Sequence, residues 1–374
     1  MSKTTIYKLP NFWLTAQERQ WALDHLFSSQ ERNLLKKYRE SNQIKLQQAK
    51  IIIVDIVKAD GFLGDTIRDS RLTGVLKAYF PHKIVLEWSN YPSLLGKRPF
   101  LTSLKERDEK IVLTYKEEQD QPEKEIVYPQ SEAVKVVKTS PRFSGVYPLV
   151  SLHEDYGQGL IFRRLALHCL QLSQVIWEFL YGLQKLDSLP EPSLKIPQET
   201  RILAHQSFQK LPLNFQKPIL IIHPDAHESY FKQKAWPVQN WVELIRLLKT
   251  QAPEISICLS TGASHPETSQ EISQQCQKQK LPLITLPLLP LPVYTGLLES
   301  FGKKAAIFVG LESAIGSHLA PSLGLKSIVI GSDEVFSPLV FGPFGGIVIM
   351  SNDHKTASVE PQKVSEAILT SLAD

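Results

Sequence analysis

The chain has 374 residues, 43% of them apolar, and a net charge of +4; it is too long for one ordinary core and carries enough apolar material for two. No run approaches the ~18–20 uninterrupted apolar residues of a membrane span, and the start MSKTTIYKLPNFW lacks the apolar stretch of a signal peptide, so a cytoplasmic location is expected. Cys169, Cys258 and Cys276 have no paired spacing, so neither a disulfide framework nor a zinc site is expected.

The basic excess lies in the first 50 residues, where nine Lys or Arg face four Asp or Glu. Such asymmetry marks either a solvated helical face or a contact with an anionic surface. No basic stripe interleaved with aromatics accompanies it, so nucleic acid is not an expected partner; peripheral contact with an anionic membrane, at the inner face, is the sharper expectation.

In chain order, residues 15–48 carry a helical pattern with Trp21, Leu26, Leu34, Leu35 and Tyr38 and no internal Gly or Pro, so residues 1–49 read as a helical extension. KIIIVDIV then predicts a buried strand, GFLGD a turn, and 66–80 an amphipathic helix with Leu72, Val75, Leu76 and Tyr79 on one face. HKIVLEW completes a strand-helix-strand unit and so a parallel sheet. KERDEK and KEEQDQPEKE read as surface turns around a short strand at Ile111–Tyr115, and a long helix is expected over 160–183.

LDSLPEPSLKIPQE is rich in proline and predicts a linker over 186–200. A second alternating block follows. PILIIHP, ISICLSTG, KAAIFVG and LKSIVIG predict strands, while NWVELIRLLKT, HPETSQEISQQCQ and a short SAIGSHLAPSLG segment predict the helices between them. Residues 201–355 form this domain, 50–185 the one before it, and 356–374 a terminal helix. Two doubly wound α/β domains place ligands outside the carboxyl ends of their strands.

The loops after those strands hold four candidate sites. In GFLGD, Gly61 and Gly64 lead to Asp65, which can be a helix cap or a base; the segment lacks both the GxGxxG and the GxxxxGK[ST] patterns. HPDAHESYFKQKAWP combines His223, Lys232 and Lys234 ahead of a helix start, where a cation suits a bound anion better than it suits the helix. His223 and His227 lack a third ligand at a metal-binding spacing, so no metal site is expected. STGASHPE ends a strand in Thr261-Gly262 and opens a helix with Glu267, a cap or a ribose contact. VGLESAIGSHLAPSLG crowds small residues around Glu312, Ser313, Ala314, Ile315, Gly316 and His318, either for close packing or for close approach of backbone to a ligand.

In this order these segments resemble the bacterial heptosyltransferase family, family 9 of the glycosyltransferases, over roughly residues 50–350. GDTIRDSRLTGVLKAYFP is similar to the family's GD element with its helix and terminal Pro. HPDA and KAWP stand where the family has HPG and KxWP, TGASHPE matches Gly-x-x-x-Glu, and ESAIGSHLAPSLG matches DTG or DSGIGHLA followed by ALG. The resemblance implies a GT-B fold of two Rossmann-like domains facing a central cleft. It further implies a nucleotide-sugar donor on the C-terminal domain, a glycan, lipid-linked or protein acceptor on the other, and inversion without a metal or other cofactor. It makes Asp65 the general base, Lys234 the phosphate lysine and Glu267 the nucleoside contact. His223, Gly262, Glu312, Ser313, Ala314, Ile315, Gly316 and His318 fall on the donor side, and Gly61 and Gly64 in the acceptor-side loop.

The chain departs from the family pattern at three places. Glu312-Ser313-Ala314 replaces Asp-Thr/Ser-Gly, Ser317 is an extra residue before His318, and Asp225 replaces the Gly of HPG. Two further readings follow, a non-catalytic GT-B protein that binds a nucleotide or sugar or serves as a scaffold in a glycosylation complex, and a GT-B transferase of another family.

Overall fold

The larger sheet grows outward in both directions from the strand Ile219–His223. In this computed structural model the described residues are 4–8, 29–49, 51–55, 63–89, 99–107, 110–117, 121–129, 137–139, 194, 196–226, 234–331, 346–353 and 355–373. They fall into two units, one of Met1–Asn11 with Ile196–Asp374 and one of Phe12–Lys195. The expected helix over 160–183 and the first part of the expected linker lie outside the described residues.

The unit containing the C-terminus opens with an element that the sequence reading placed elsewhere. β1 (Thr4–Lys8) pairs antiparallel with β13 (Ile347–Ser351), from Thr4 opposite Ser351 to Lys8 opposite Ile347. Residues 1–49 are therefore not one helical extension. Thr, Ile and Tyr favour a pleated, half-buried strand, and this strand covers an edge that would otherwise stand open. Thr4 Oγ1 also accepts the Glu360 amide at 3.1 Å, tying the N-terminus to the segment before the last helix.

Helix α3 (Gln198–Gln209), in the expected linker and the start of the next domain, is a further correction. Its periodicity is faint in the sequence because only Ala204 and Phe208 face inward, while Ile202 and Leu203 are exposed. Arg201 holds it by a two-pronged ion pair with Glu299, at 3.1 and 2.9 Å.

The sheet follows as β8 (Ile219–His223), β9 (Ser256–Leu259), β10 (Ile284–Thr285), β11 (Ile307–Leu311), β12 (Lys326–Gly331) and β13, in the order β1-β13-β12-β11-β8-β9-β10. All pairs except β1 with β13 are parallel. β8 and β11 are buried along their whole length, as a parallel sheet covered on both faces requires. The covering helices are α4 (Val238–Gln251), α5 (Pro266–Lys278), α6 (Leu291–Gly302) and α7 (Pro361–Ala373). Trp236 and Trp241 pack edge to face at 4.7 Å within the core, which continues through Leu244, Ile245 and Leu248 to Val364 and Ile368.

The chain builds β8, β9 and β10 toward one side, then crosses back to lay β11 against β8 and continues the other way. The reversal lies between β8 and β11, the position where a doubly wound sheet leaves a crevice at its carboxyl edge.

The other unit holds α1 (Ser29–Gln48), β2 (Ile51–Asp55), α2 (Leu63–Tyr79), β3 (Ile84–Trp88), β4 (Phe100–Arg107), β5 (Lys110–Lys116), β6 (Lys124–Pro129) and β7 (Val137–Thr139). Its sheet order is β6-β5-β4-β3-β2-β7. The strands from β7 to β4 run parallel, and β4-β5-β6 form an antiparallel meander. The charged stretches expected as turns therefore supply strand residues at Lys105–Arg107 and Lys124–Glu125. A sheet with one wet face tolerates charge on that face, and Lys124 pairs with Glu117 at 2.7 Å. Lys83 Nζ donates to the carbonyls of Leu46 and Ala49, each at 2.7 Å, meeting orphan acceptors around the end of α1.

Candidate functional site

The carboxyl ends of β8 and β11 are filled by residues from three loops. His223 closes β8 and is 5% exposed. Its Nδ1 lies 3.1 Å from Ser260 Oγ, and that hydroxyl donates to Tyr294 Oη at 2.8 Å. In the neutral ring one nitrogen donates and the other accepts, so Nδ1 donates to Ser260 Oγ or accepts from it according to the tautomer. Burial lowers the imidazole pKa from 6.5 to about 4, so the ring is neutral at pH 7. Tyr294 and Phe308 flank it, with ring centroids at 5.9 and 5.8 Å. The sequence reading set His223 beside Lys232 and Lys234; burial keeps its ring neutral, so its chemistry here is hydrogen bonding and not charge.

Two positions further on, Asp225 is also buried. Its Oδ1 accepts the Ala226 amide at 2.9 Å and its Oδ2 the Ser264 amide at 3.1 Å. Desolvation raises its pKa, and these backbone donors oppose the rise. A side chain at Gly262 would place its Cβ 1.9 Å from Asp225 Oδ2, so this glycine is what admits the carboxylate beneath the β9 loop.

Lys234 comes from the loop before α4. Trp236, two residues on, fixes that loop by donating Nε1–H to the Val359 carbonyl at 3.0 Å while its ring sits in the core. Lys234 is itself buried and forms an ion pair with Glu312, the first residue beyond β11. Glu312 is buried too, and its amide donates to Ile330 O at 3.1 Å, continuing the β11–β12 ladder and holding its backbone in place.

The segment after Glu312 carries the extra residue noted in the sequence. Ile315–Leu319 forms a π-helical turn, with the Ala320 amide bonded to Ile315 O, and runs into a single α-helical turn at Ala320–Ser322. A π turn holds one residue more than an α turn, which is how Ser317 is absorbed without breaking the segment. Ala314 has φ −55°, so alanine fits here without the left-handed conformation that would need glycine. Ser313 caps the turn: its Oγ accepts the Gly316 amide at 3.2 Å and its carbonyl the Ser317 amide at 2.9 Å. A Cβ on Gly316 would meet Leu311 O at 2.9 Å, so close packing on the strand end requires glycine there. His318 is buried within the turn, and Ile315 is partly exposed.

The structure thus gathers His223, Lys234, Glu312 and the Ser313–Gly316 turn around the switch point, with Gly262 close by against Asp225. Glu267 stands apart in the first turn of α5, exposed, its Oε1 3.0 Å from His265 Nδ1. A backbone amide, and after it that histidine, lower its pKa. The N-cap of α5 is His265, so Glu267 is not the cap. In the other unit α2 begins at Leu63, which puts Gly64 and Asp65 in its first turn and not before it. Gly61, Lys232 and His227 lie outside the described residues. Among the described residues no group of three His, Cys, Asp or Glu is placed to hold a metal ion, and no helix is long and apolar enough to cross a membrane.

Sequence reasoning missed Ser260 and Tyr294. Tyr294 had a signal, because Tyr294, Leu297, Leu298 and Phe301 repeat at i, i+3, i+4 and i+7 and are all buried in α6. The prolines of LPLLPLP just before obscured it; Pro290 is the N-cap of α6, and a proline is well tolerated in a helix's first turn.

Among solved structures, the chain is similar to a family 9 glycosyl transferase from Veillonella parvula, with 12% identity, 89% of this chain and 99% of that one covered, and a TM-score of 0.57. It is also similar to the ADP-heptose lps heptosyltransferase II of E. coli, with 15% identity, 87% and 98% covered, and a TM-score of 0.47. The first of these likenesses carries the α/β fold of the GT-B class. No curated protein matches the chain. The family model described as glycosyltransferase family 9 (heptosyltransferase) matches residues 155–350, which include β8 to β13 and every residue at the switch point. The chain belongs to glycosyltransferase family 9, the heptosyltransferase family.

Proposed function

We propose that this glycosyltransferase moves a sugar, heptose or a related one, from a nucleotide-sugar donor to a hydroxyl of a glycan, lipid-linked or protein acceptor with inversion of the anomeric centre. The supporting observation is that a buried lysine, Lys234, stands at the switch point of a doubly wound sheet in a chain of this family. The acceptor oxygen attacks the anomeric carbon, the bond from that carbon to the β-phosphate oxygen breaks, and the acceptor proton passes to Asp65 as general base. The nucleoside diphosphate leaves with growing negative charge, which Lys234 opposes, with the Ser313–Gly316 turn alongside. The neutral ring of His223, with Nδ1 engaged by Ser260, offers Nε2 for a hydrogen bond with a donor hydroxyl. Glu267 at the start of α5 is the nucleoside contact in this reading, and no metal is required.

One observation favours a second reading. The acid groups of this site are already engaged internally, Glu312 with Lys234 and Asp225 with two loop amides. A non-catalytic GT-B protein would tolerate that better than a transferase would. The two are separated by a thermal-shift panel of nucleoside diphosphates and nucleotide sugars, followed by donor turnover with and without EDTA. A ligand at 100 times its Kd stabilises the fold by about 2.7 kcal/mol. Transferase function gives a shift with one nucleotide class and turnover that survives EDTA; a chain that binds no nucleotide at millimolar concentration is not the transferase described.

A further inference from the structure

We infer that Glu312 is a specificity-determining residue of this site: it is the internal counter-ion of Lys234, and a phosphate-bearing ligand binds only by displacing it. The inference rests on the reading of the site as a diphosphate site and adds what sets its affinity. Lys234 and Glu312 approach from opposite sides of the switch point, one from the loop before α4 and one from the end of β11, and meet as a buried pair. Glu312 cannot swing away by a backbone shift, since its amide is locked to Ile330 O at 3.1 Å in the strand ladder. The carboxylate therefore gives way by side-chain rotation.

Among the described residues gathered at the switch point, Lys234 is the one lysine. His223 is neutral, and Asp225 adds a buried acid that occupies the Ala226 and Ser264 amides. An incoming phosphate meets a lysine already matched in charge, and each charge taken out of water must find a partner in the new arrangement. A ligand whose anion replaces Glu312 while the glutamate gains solvent satisfies this; an uncharged nucleoside leaves the pair intact. The site thus discriminates by the strength of the competing anion, favouring diphosphates over singly charged ligands.

The test is calorimetric titration of the intact chain with inorganic pyrophosphate, and with uridine and adenosine as uncharged probes. In Glu312→Gln the carboxylate is gone while its shape remains, and pyrophosphate should bind at least about tenfold tighter than to wild type, with nucleoside binding unchanged. Glu312→Asp withdraws the carboxylate by one methylene and should tighten binding in the same direction, which covers the case in which the glutamine variant does not fold. Lys234→Ala combined with Glu312→Gln should lose the gain, showing that the anion sits on this lysine. Pyrophosphate binding that is unchanged or weaker in folded Glu312→Gln and Glu312→Asp overturns the role of Glu312, as does a gain that persists without Lys234. Donor turnover measured on the same proteins keeps the two claims apart. Turnover without the gain leaves the transferase and removes the counter-ion, and the gain without turnover does the reverse.

Discussion

The two sheets of this protein have the same opening, an apolar parallel strand feeding a loop and a helix, yet they diverge in what lies beyond. Around β8 the strands are buried on both faces and the polar groups at their carboxyl ends are matched to one another, lysine to glutamate, histidine to serine, aspartate to amides. Around β2 the parallel strands, themselves buried from Ile51 to Val54, pass into an antiparallel meander with an exposed face, where Val127 is 48% exposed. A site that orders a charged ligand needs a dry, preorganised setting. On the proposed function, a unit that receives acceptors does not need its outer strands covered. The first sheet is dry at its switch point and the second keeps an exposed outer face.

The largest expected effect tests the second half of that contrast. Asp65→Asn keeps a side chain able to accept hydrogen bonds in the first turn of α2 but cannot take a proton, so turnover should fall by about 10²–10⁴ with little change in melting temperature. Near-normal turnover in the purified variant would leave Asp65 a helix residue only. Next, Ile222→Ala in the fully buried β8 should cost about 2–5 kcal/mol by denaturant unfolding, whereas Val127→Ala on the exposed side of β6 should stay within about 0.5 kcal/mol. Similar losses at both positions would break the contrast between the sheets.

The neutral state of His223 gives a pH signature. Its folded pKa, about 4, lies below the ordinary 6.5, so the unfolded chain binds more protons in that interval and stability falls as pH drops from 6.5 toward 4. The contribution reaches up to about 3 kcal/mol. His223→Gln should flatten this part of the stability curve, and a curve of unchanged slope would show that the ring is not held neutral.

Lys234→Ala should weaken nucleoside diphosphate binding by about 1.5–3 kcal/mol, the range of a hydrogen bond to a charged group, and leave the bare nucleoside unaffected in the same titration. Equal loss for both ligands would mean that the loop had moved instead. The smallest effect concerns α1, where Lys36 and Lys37 are exposed and their segment carries the chain's basic excess. If this face meets anionic lipid, Lys36→Glu with Lys37→Glu should lower co-sedimentation with phosphatidylserine vesicles several-fold at low salt, and high salt should abolish the difference. Equal sedimentation of both proteins would assign the face to solvent.

The sequence alone determined the features that a short window can express. Unbroken apolar runs such as ILIIH and IFVGL, short, rich in β-branched residues and bounded by Pro or Gly, read as buried strands, their alternation with helical periods pointed to parallel sheets, and the order of the GD, KAWP and ESAIG segments pointed to the family. It also showed the departures at Asp225, Glu312 and Ser317. Tertiary structure decided what those residues do. Lys234 finds Glu312 and Thr4 reaches Glu360 because the sheet order brings distant segments together, and no local pattern encodes such a meeting. The protonation of His223 follows from burial, a property of everything packed around the ring. The five residues of β1 read as the start of a helical arm until β13 offered an open edge. Periodicity reports the neighbours along the chain; ion pairs, burial and strand edges depend on neighbours in space, and those exist only once the chain has folded.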